Sequence, residues 1–241
     1  MTTNIRAILL DIEGTTTPIA FVHDVLFTYA RTHARDYLAQ HADELNQDIA
    51  QLRKEHSEEE RETPPPLTDD LDSIANYVNW LIDRDRKSTG LKSLQGKMWR
   101  EGYEAGLLQA QVFDDVRPAF ERWQQANLPI SIFSSGSALA QQLLFAHTED
   151  GDLTPFISNY FDTSVGAKGE AKSYRSIAEK LNLPAGEILF VSDIVTELEA
   201  AREAGMQTRL AIRPGNKPQD DPDQFEQIRS LDQVISTHPG S

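Results

Sequence analysis

Short apolar runs alternate with helical patterns over the second half of the chain, and this alternation restricts the fold more than any other feature. The apolar runs lie at residues 128–133, 157–161, 187–191 and 208–212. A helical pattern precedes each of them, at residues 116–126, 138–145, 172–181 and 196–204. Strands that alternate with helices in this way are typical of parallel sheets with helices on both faces. The sequence therefore predicts the α/β class and a doubly wound parallel sheet.

The first apolar run, residues 5–10, is separated from this alternation by a long block that carries only helical patterns. Helices are predicted from residue 21 onward, at 42–55, at 71–82 and at 94–108. Thr68 is predicted to cap the helix at 71–82, because Asp69 and Asp70 would then lie in its first turn, where the helix dipole favours acids. We therefore predict an α/β catalytic core, residues 1–19 and 110–241, and an all-helical cap, residues 20–109, inserted after the first strand. The tail beyond Pro214 is polar and weakly patterned.

Chemically reactive side chains follow the predicted strands. They are Asp11 and Glu13 after the first strand, Ser134 and Ser135 after the second, Lys168 in a glycine-rich loop, and Asp193 after the strand at 187–191. The carboxyl ends of parallel strands share one edge of the sheet, and ligands bind at that edge. Paired carboxylates bind a divalent cation, and a cation, a lysine and hydroxyl groups together bind a phosphate. The sequence therefore predicts a phosphate site at this edge.

Asp11 is placed to attack phosphorus and form an aspartyl-phosphate. The glycine-containing turn after it, from Gly14, is expected to expose N–H groups that bind phosphate oxygens. Glu13 is the expected general acid toward the leaving oxygen and then the general base toward water. The alternatives are structural: Asp11 could cap the turn after the strand, and Glu13 could be a solvated loop residue.

Ser134 and Ser135 are expected to bind the phosphate, together with the N-terminus of the helix that starts near Ser137. Ser137 itself is read as an N-cap. Lys168, between two glycines, is preferred over Lys172 for neutralising the phosphate, because Lys172 lies at the start of an amphipathic helix and is expected to face solvent. Asp193 is the expected metal ligand. Glu197 is expected to orient the lysine or a water molecule, or to cap its helix.

Composition narrows the class of partner. The formal net charge is −15, which repels nucleic acid and anionic membranes and requires a phosphate site to supply its own positive charge. The chain has no cysteine, so thiolate chemistry is excluded. No signal-peptide pattern or stretch long enough to cross a bilayer is found, so a cytoplasmic protein is expected. No coiled-coil repeat or apolar stripe requires a partner subunit, so we expect a monomer.

The same segments, in the same order, resemble the four motifs of the haloacid dehalogenase-like hydrolase superfamily. Within it, the chain resembles the enolase-phosphatase (acireductone synthase) family over about residues 5–216. Four further segments carry the likeness: Gln95-Gly96-Lys97-Met98-Trp99, Phe133-Ser134-Ser135-Gly136-Ser137, Leu143-Leu144-Phe145-Ala146-His147 and Arg213-Pro214-Gly215-Asn216. Glu13 stands where most members of the superfamily carry aspartate. The resemblance implies a Mg²⁺-dependent enzyme of methionine salvage, which enolises 2,3-diketo-5-methylthiopentyl-1-phosphate and then removes its phosphate.

The resemblance also implies a role for each candidate residue. It assigns the nucleophile and a metal ligand to Asp11, the acid/base and a metal-binding backbone carbonyl to Glu13, phosphate binding to Ser134 and Ser135, the third-motif lysine to Lys168, and the third metal contact to Asp193. The inserted helices would close over the substrate and exclude water. The metal could be Mg²⁺ or Mn²⁺, since both take oxygen ligands in octahedral geometry.

The base of the enolisation step is not fixed by the sequence. Glu13 is the simplest candidate, and Glu101, Tyr103 and Glu104 are alternatives that fit a helix surface better. Phe21 and Trp99 could hold the methylthio tail, although packing between helices explains both.

Two other functions stay open on the sequence alone. The chain could be a phosphatase of the same superfamily for another small phosphoester, such as a sugar phosphate. It could also be a non-catalytic binding protein, although the intact set of acids and lysine speaks against this. A scaffold role for the acidic segment 55–62 is less favoured than a solvated linker.

Overall fold

The computed structural model describes residues 5–234, and the chain divides into two compact units. One unit combines the segment up to Val22 with the segment from Gln109 onward, and the other is His23–Leu108. We call the first the core unit and the second the helical unit. The sequence predicts the boundaries between residues 19 and 20 and between residues 109 and 110; the division of the structure lies between residues 22 and 23 and between residues 108 and 109.

The core unit is built on a six-stranded sheet in the order β3-β2-β1-β4-β5-β6. The strands are β1 Ala7–Leu10, β2 Ile130–Phe133, β3 Ile157–Phe161, β4 Ile188–Ser192, β5 Gln207–Ala211 and β6 Gln227–Ile228. Every neighbouring pair is parallel. The predicted doubly wound parallel sheet is therefore confirmed. The sixth strand was not predicted, because two residues in a polar tail carry no hydrophobic pattern.

Eight α-helices lie within residues 5–234. They are α1 Thr28–Gln40, α2 Asn46–Ser57, α3 Leu71–Asp83, α4 Thr89–Glu104, α5 Val116–Gln125, α6 Ala138–Ala146, α7 Ala171–Leu181 and α8 Val195–Glu203. A π-helical segment, Phe21–Phe27, precedes α1. Of the helices in this described range, none combines the length and the hydropathy of a membrane-spanning segment.

The strands that hold the site are buried from end to end. All residues of β1, β2 and β4 are buried, which explains their mostly apolar sequences, with Ser131 in β2 and Ser192 at the end of β4 as the polar residues. On one side, Leu9, Phe133 and Phe190 from three adjacent strands form a cluster with Tyr174 of α7 and Leu198 of α8. This packing gives the loops that follow the strands a rigid base.

The cap of α3 differs from the prediction. Asp70, not Thr68, is the N-cap: its backbone is extended, and its carboxylate accepts a hydrogen bond from the Ser73 N–H at 3.1 Å. Thr68 lies outside the helix, and its hydroxyl accepts from the Asp70 N–H at 3.3 Å. The helix therefore starts two residues later than predicted from Thr68, at the polar residue directly before the first apolar position.

Phe21 and Trp99 lie in packed surroundings. Phe21 is buried in the core unit. In the helical unit, the Trp99 ring stacks on Phe27 with centroids 6.5 Å apart, and its Nε1–H donates to the Leu26 carbonyl at 2.9 Å. These contacts agree with the interpretation of both residues as packing groups.

Candidate active site

Two buried aspartates lie at the point where the strand order reverses. Asp11 directly follows β1 and Asp193 directly follows β4, its neighbour in the sheet. The Asp11 N–H donates to the Val191 carbonyl at 3.0 Å, which continues the strand pairing to the start of the loop. Asp11 is 4% exposed and Asp193 is 3% exposed. Such a switch point is where open α/β sheets bind their ligands.

Lys168 connects the two acidic loops. Its Nζ lies 2.5 Å from Asp11 Oδ1 and 2.6 Å from Glu197 Oε2. Glu197 is held in turn by the Ser192 hydroxyl, which donates to Oε2 at 2.9 Å. The structure thus brings Lys168 to Asp11 as the sequence suggested, and it places Glu197 on the lysine.

The backbone of the Lys168 loop is hydrogen-bonded to side chains in the first turn of α7. The Tyr174 hydroxyl donates to the Lys168 carbonyl at 2.7 Å, and the Ser173 hydroxyl donates to the Ala167 carbonyl at 2.7 Å. Gly166 has φ +128°, and a Cβ there would lie 2.3 Å from Ser173 Oγ. Only glycine fits this approach. The sequence does not indicate that the hydroxyls of Tyr174 and Ser173 hold this loop.

The electrostatics of the cluster show an excess of negative charge. Burial alone would lower the pKa of Lys168, but the carboxylates of Asp11 and Glu197 outweigh it and raise the pKa, so the lysine is charged. Burial raises the pKa of Glu197, and Lys168 opposes that rise. Burial, with the charges of Asp11 and Glu197, raises the pKa of Asp193 to about 8. The single positive charge of Lys168 therefore offsets the charge of three carboxyl groups, those of Asp11, Asp193 and Glu197.

This donor set fits a small divalent cation. No group of three acidic or histidine side chains within residues 5–234 is arranged as a complete metal site. A small ion such as Mg²⁺ does not need one, because it keeps several waters and takes one or two carboxylates together with phosphate oxygens. Asp11 and Asp193 can supply these carboxylates, and Glu13, which is partly buried, lies two residues after Asp11 in the turn that follows β1.

The hydroxyl groups after β2 divide into two kinds. Ser134 is buried; its N–H donates to the Phe161 carbonyl at 3.1 Å, and its hydroxyl accepts from the Gly136 N–H at 3.2 Å. Ser137 caps α6, as predicted, by accepting from the Ala140 N–H at 3.3 Å. Ser135 is partly exposed and has no hydrogen-bond partner within the described part of the chain. Its hydroxyl is therefore available to a ligand oxygen, and the Ser134 hydroxyl, which accepts from Gly136, still has its own hydrogen to donate.

The turn after Asp11 differs from the prediction of exposed N–H groups. The N–H groups of Thr15, Thr16 and Thr17 all donate to the Ile12 carbonyl, at 3.2, 2.9 and 2.9 Å, and the Gly14 N–H donates to the Thr17 carbonyl at 2.8 Å. The expectation that these four N–H groups bind phosphate is wrong, because the turn closes on its own carbonyls.

Lys172 lies on the surface, as expected. Its side chain is 72% exposed, and its Nζ lies 2.7 Å from Glu170 Oε2. An exposed pair of this kind contributes at most about 1 kcal/mol to stability.

The helical unit has a cavity of about 440 Å³, and most of the charged side chains that line it are paired within the unit. Three cations of its lining are paired: Arg84 with Glu62, Arg86 with Glu59, and Lys87 with Asp85. The Glu55 carboxylate accepts from the first N–H groups of α4, at Thr89 and Gly90. Glu55 belongs to α2, whereas residues 58–62 lie between α2 and α3 and are mostly exposed, which agrees with the interpretation of this part as a solvated linker.

We expect Asp193→Asn to stabilise the metal-free protein at pH 8. The Asp193 carboxyl holds its proton in the folded state to about pH 8 and loses it near pH 4 when unfolded. Its contribution is therefore present below pH 4 and is lost as the pH rises to 8, with a slope of up to about 1.4 kcal/mol per pH unit. Urea unfolding in EDTA between pH 4.5 and 8.5 measures how the free energy of unfolding changes with pH. The part of this slope that comes from Asp193 should be absent in Asp193→Asn. The exposed Asp114→Asn is the matched control, and parallel curves for all three proteins would contradict the prediction.

Comparison with known proteins gives one consistent family. Residues 5–205 match the family model of haloacid dehalogenase-like hydrolases. The chain is 56% identical to enolase-phosphatase E1 of Synechococcus elongatus, over 88% of this chain and 91% of that protein. It is 40% identical to enolase-phosphatase E1 of Danio rerio, over 96% of this chain and 95% of that protein.

Solved structures agree in fold. The UTR4 protein of Saccharomyces cerevisiae is similar with a TM-score of 0.79 and 32% identity, over 97% of this chain and 100% of that chain. A dehalogenase structure is similar with a TM-score of 0.58 and 19% identity, over 97% of each chain, which shows the fold alone.

Proposed function

Because the chain belongs to the enolase-phosphatase family of haloacid dehalogenase-like hydrolases, we propose that it is the acireductone synthase of methionine salvage. It enolises 2,3-diketo-5-methylthiopentyl-1-phosphate and then hydrolyses the phosphate ester of the enol. The observation that carries the proposal is the charged Lys168 on Asp11, beside Asp193, at the switch point of the sheet.

In the phosphoryl step, Asp11 is the nucleophile. Lys168 contacts Oδ1, so the other carboxylate oxygen is left to attack phosphorus. The bond from phosphorus to the enol oxygen breaks as the bond to Asp11 forms, and Glu13 gives the leaving oxygen its proton. Glu13 then takes a proton from water, which attacks the aspartyl-phosphate and releases inorganic phosphate and free Asp11.

The phosphate oxygens are held by the groups around the nucleophile. The Lys168 ammonium offsets negative charge, and the hydroxyls of Ser135 and Ser134 donate to the oxygens. Asp11, Asp193 and the Glu13 backbone carbonyl would hold a Mg²⁺ ion. When bound, this ion supplies positive charge for the phosphate and for an enolate oxygen.

Glu13 is the proposed base of the enolisation step. Burial raises the pKa of Tyr103, so its phenolate is not available as a base near neutral pH. Glu101 is half-exposed and contacts His41 at 3.2 Å, and Glu104 is exposed on the same helix. Both fit the interpretation of helix-surface residues. We also propose that the helical unit is the cap predicted from the sequence.

The test is an assay of the diketo phosphate with Mg²⁺ that follows enol absorbance and phosphate release in the same sample. We expect the enol signal to rise before phosphate appears. A panel of simple phosphate esters at equal concentration is the matched control. Hydrolysis of these esters without an enol intermediate from the diketone would contradict the salvage function and leave a phosphatase for another phosphoester.

A further inference from the structure

Three consecutive backbone carbonyls in the turn after Glu13 are held by donors from distant parts of the core unit. The contacts are Asn216 Nδ2 to the Gly14 carbonyl at 3.0 Å, Arg213 Nε to the Thr15 carbonyl at 3.1 Å, and the Phe113 N–H to the Thr16 carbonyl at 3.0 Å. Two of the three donors come from the loop after β5. The turn closes on its own N–H groups, so these outer contacts fix where it sits.

Arg213 is itself immobilised. It is 7% exposed, and its Nη1 lies 2.9 Å from Asp115 Oδ2 and 3.0 Å from the Arg229 carbonyl. Its guanidinium carbon lies 4.6 Å from the centre of the Phe113 ring. The side chain is therefore a fixed anchor for the Thr15 carbonyl rather than a charge available to a ligand.

Asn216 contacts the turn at Gly14, the residue directly after Glu13. Its Nδ2 donates to the Ala211 carbonyl at 3.2 Å as well as to Gly14, so both of its N–H donors are used. Gly14 has φ +68°, and a Cβ there would lie 2.8 Å from Asn216 Oδ1 and 2.3 Å from Asp193 Oδ2. The amide and the Asp193 carboxylate therefore cover the same face of Gly14.

We propose that Asn216 is a positioning residue, anchored beside Arg213, that sets Asp11 and Glu13 at their working distance from Asp193. Asp11 and Glu13 lie in a loop, and a loop keeps catalytic geometry only when outer contacts hold it. Asn216 supplies that contact at the residue directly after Glu13. The inference rests on the proposed phosphoryl transfer, but not on the identity of the substrate.

Asn216→Asp tests this with almost no change of shape. The substitution puts a carboxylate oxygen, which cannot donate, against the carbonyls of Gly14 and Ala211. Outer contacts of this kind are worth about 10–100-fold in metal affinity or activity, and we expect a loss of that size in kcat or in Mg²⁺ affinity. The control is Asn127→Asp, the same chemical change at an exposed residue of the core unit.

The measurements are p-nitrophenyl phosphate turnover, Mg²⁺ binding by calorimetry, and thermal unfolding. A purely structural role lowers the melting temperature but leaves kcat per folded molecule and Mg²⁺ affinity unchanged, and that result would overturn the proposal. Asn216→Ser removes the same contacts without adding charge and takes the place of Asn216→Asp if the latter does not fold. Retained turnover in both variants also overturns it.

The substrate panel separates this inference from the proposed function. If the wild-type protein hydrolyses p-nitrophenyl phosphate but not the diketo phosphate, the salvage function fails and the Asn216 test still stands. If the wild-type protein neither hydrolyses phosphoesters nor binds Mg²⁺, both fail together.

Arg213→Lys keeps the positive charge but removes the planar guanidinium that donates to the Thr15 carbonyl. We expect a loss of kcat or of Mg²⁺ affinity that is smaller than in Asn216→Asp.

Discussion

Asp11→Asn is expected to reduce phosphate release by at least about four orders of magnitude, because it removes the oxygen that we propose attacks phosphorus. Asparagine keeps the shape of the side chain. Lys168 keeps Glu197 as its charged partner at 2.6 Å, so the fold is expected to persist. Single-turnover phosphate release, with circular dichroism and thermal unfolding on the same samples, measures both parts of this expectation.

The control for Asp11→Asn is Asp114→Asn, which makes the same change at an exposed residue of the core unit. It should leave turnover and unfolding as they are in the wild-type protein. Retained phosphate release in a folded Asp11→Asn protein would remove Asp11 as the nucleophile. It would point to direct attack by water, with Asp11 as a metal ligand only.

Asp11 and Asp193 could be found from the sequence because the sheet is parallel, whereas Lys168 was found from the two glycines of its loop. Their separation along the chain carries no information, but the end of each buried strand does, since all strand ends meet at one edge. The mostly apolar sequences of β1, β2 and β4 made those ends visible. A helical pattern before each later strand then fixed the direction of the connections.

The contacts that hold these residues could not be found in the same way. Asn216 binds a carbonyl 202 positions earlier, and Arg213 binds one 198 positions earlier. Backbone carbonyls have no residue-specific signal, so the sequence does not show which side chain reaches them. The prediction of exposed N–H groups after Asp11 was wrong for a related reason. The turn closes on the Ile12 carbonyl because of its backbone dihedral angles, which the sequence pattern does not reveal. A likeness to a family can mark Asn216 as part of a shared segment, but only the structure gives it a contact.

Lys168→Ala is expected to lower kcat and raise KM, with a combined loss in kcat/KM of about 10²–10³-fold. The lysine offsets the charge that phosphate brings to a site that already holds three carboxyl groups. It also stabilises the fold, because its loss leaves Asp11 and Glu197 buried without their cation. Breaking a buried ion pair typically costs roughly 3–5 kcal/mol.

The loss of stability in Lys168→Ala should grow with pH, which distinguishes it from the loss of simple packing. Without the ammonium, the pKa values of the buried carboxyls rise, and a raised folded-state pKa gives stability below the unfolded pKa near 4 that disappears as the pH rises. Urea unfolding at pH 5 and pH 8 measures the difference, and a loss equal at both pH values would contradict it.

Lys172→Ala is the matched control for Lys168→Ala, since it removes the same side chain four residues away. Its pair with Glu170 is exposed, so turnover and stability should change little. A damaging Lys172→Ala beside a harmless Lys168→Ala would show that the assignment of the phosphate-neutralising lysine is wrong. The two lysines carry the same charge but differ in burial and in partners: Lys168 is buried against Asp11 and Glu197, whereas Lys172 is exposed beside Glu170. That difference, rather than their charge, is what the pair of variants measures.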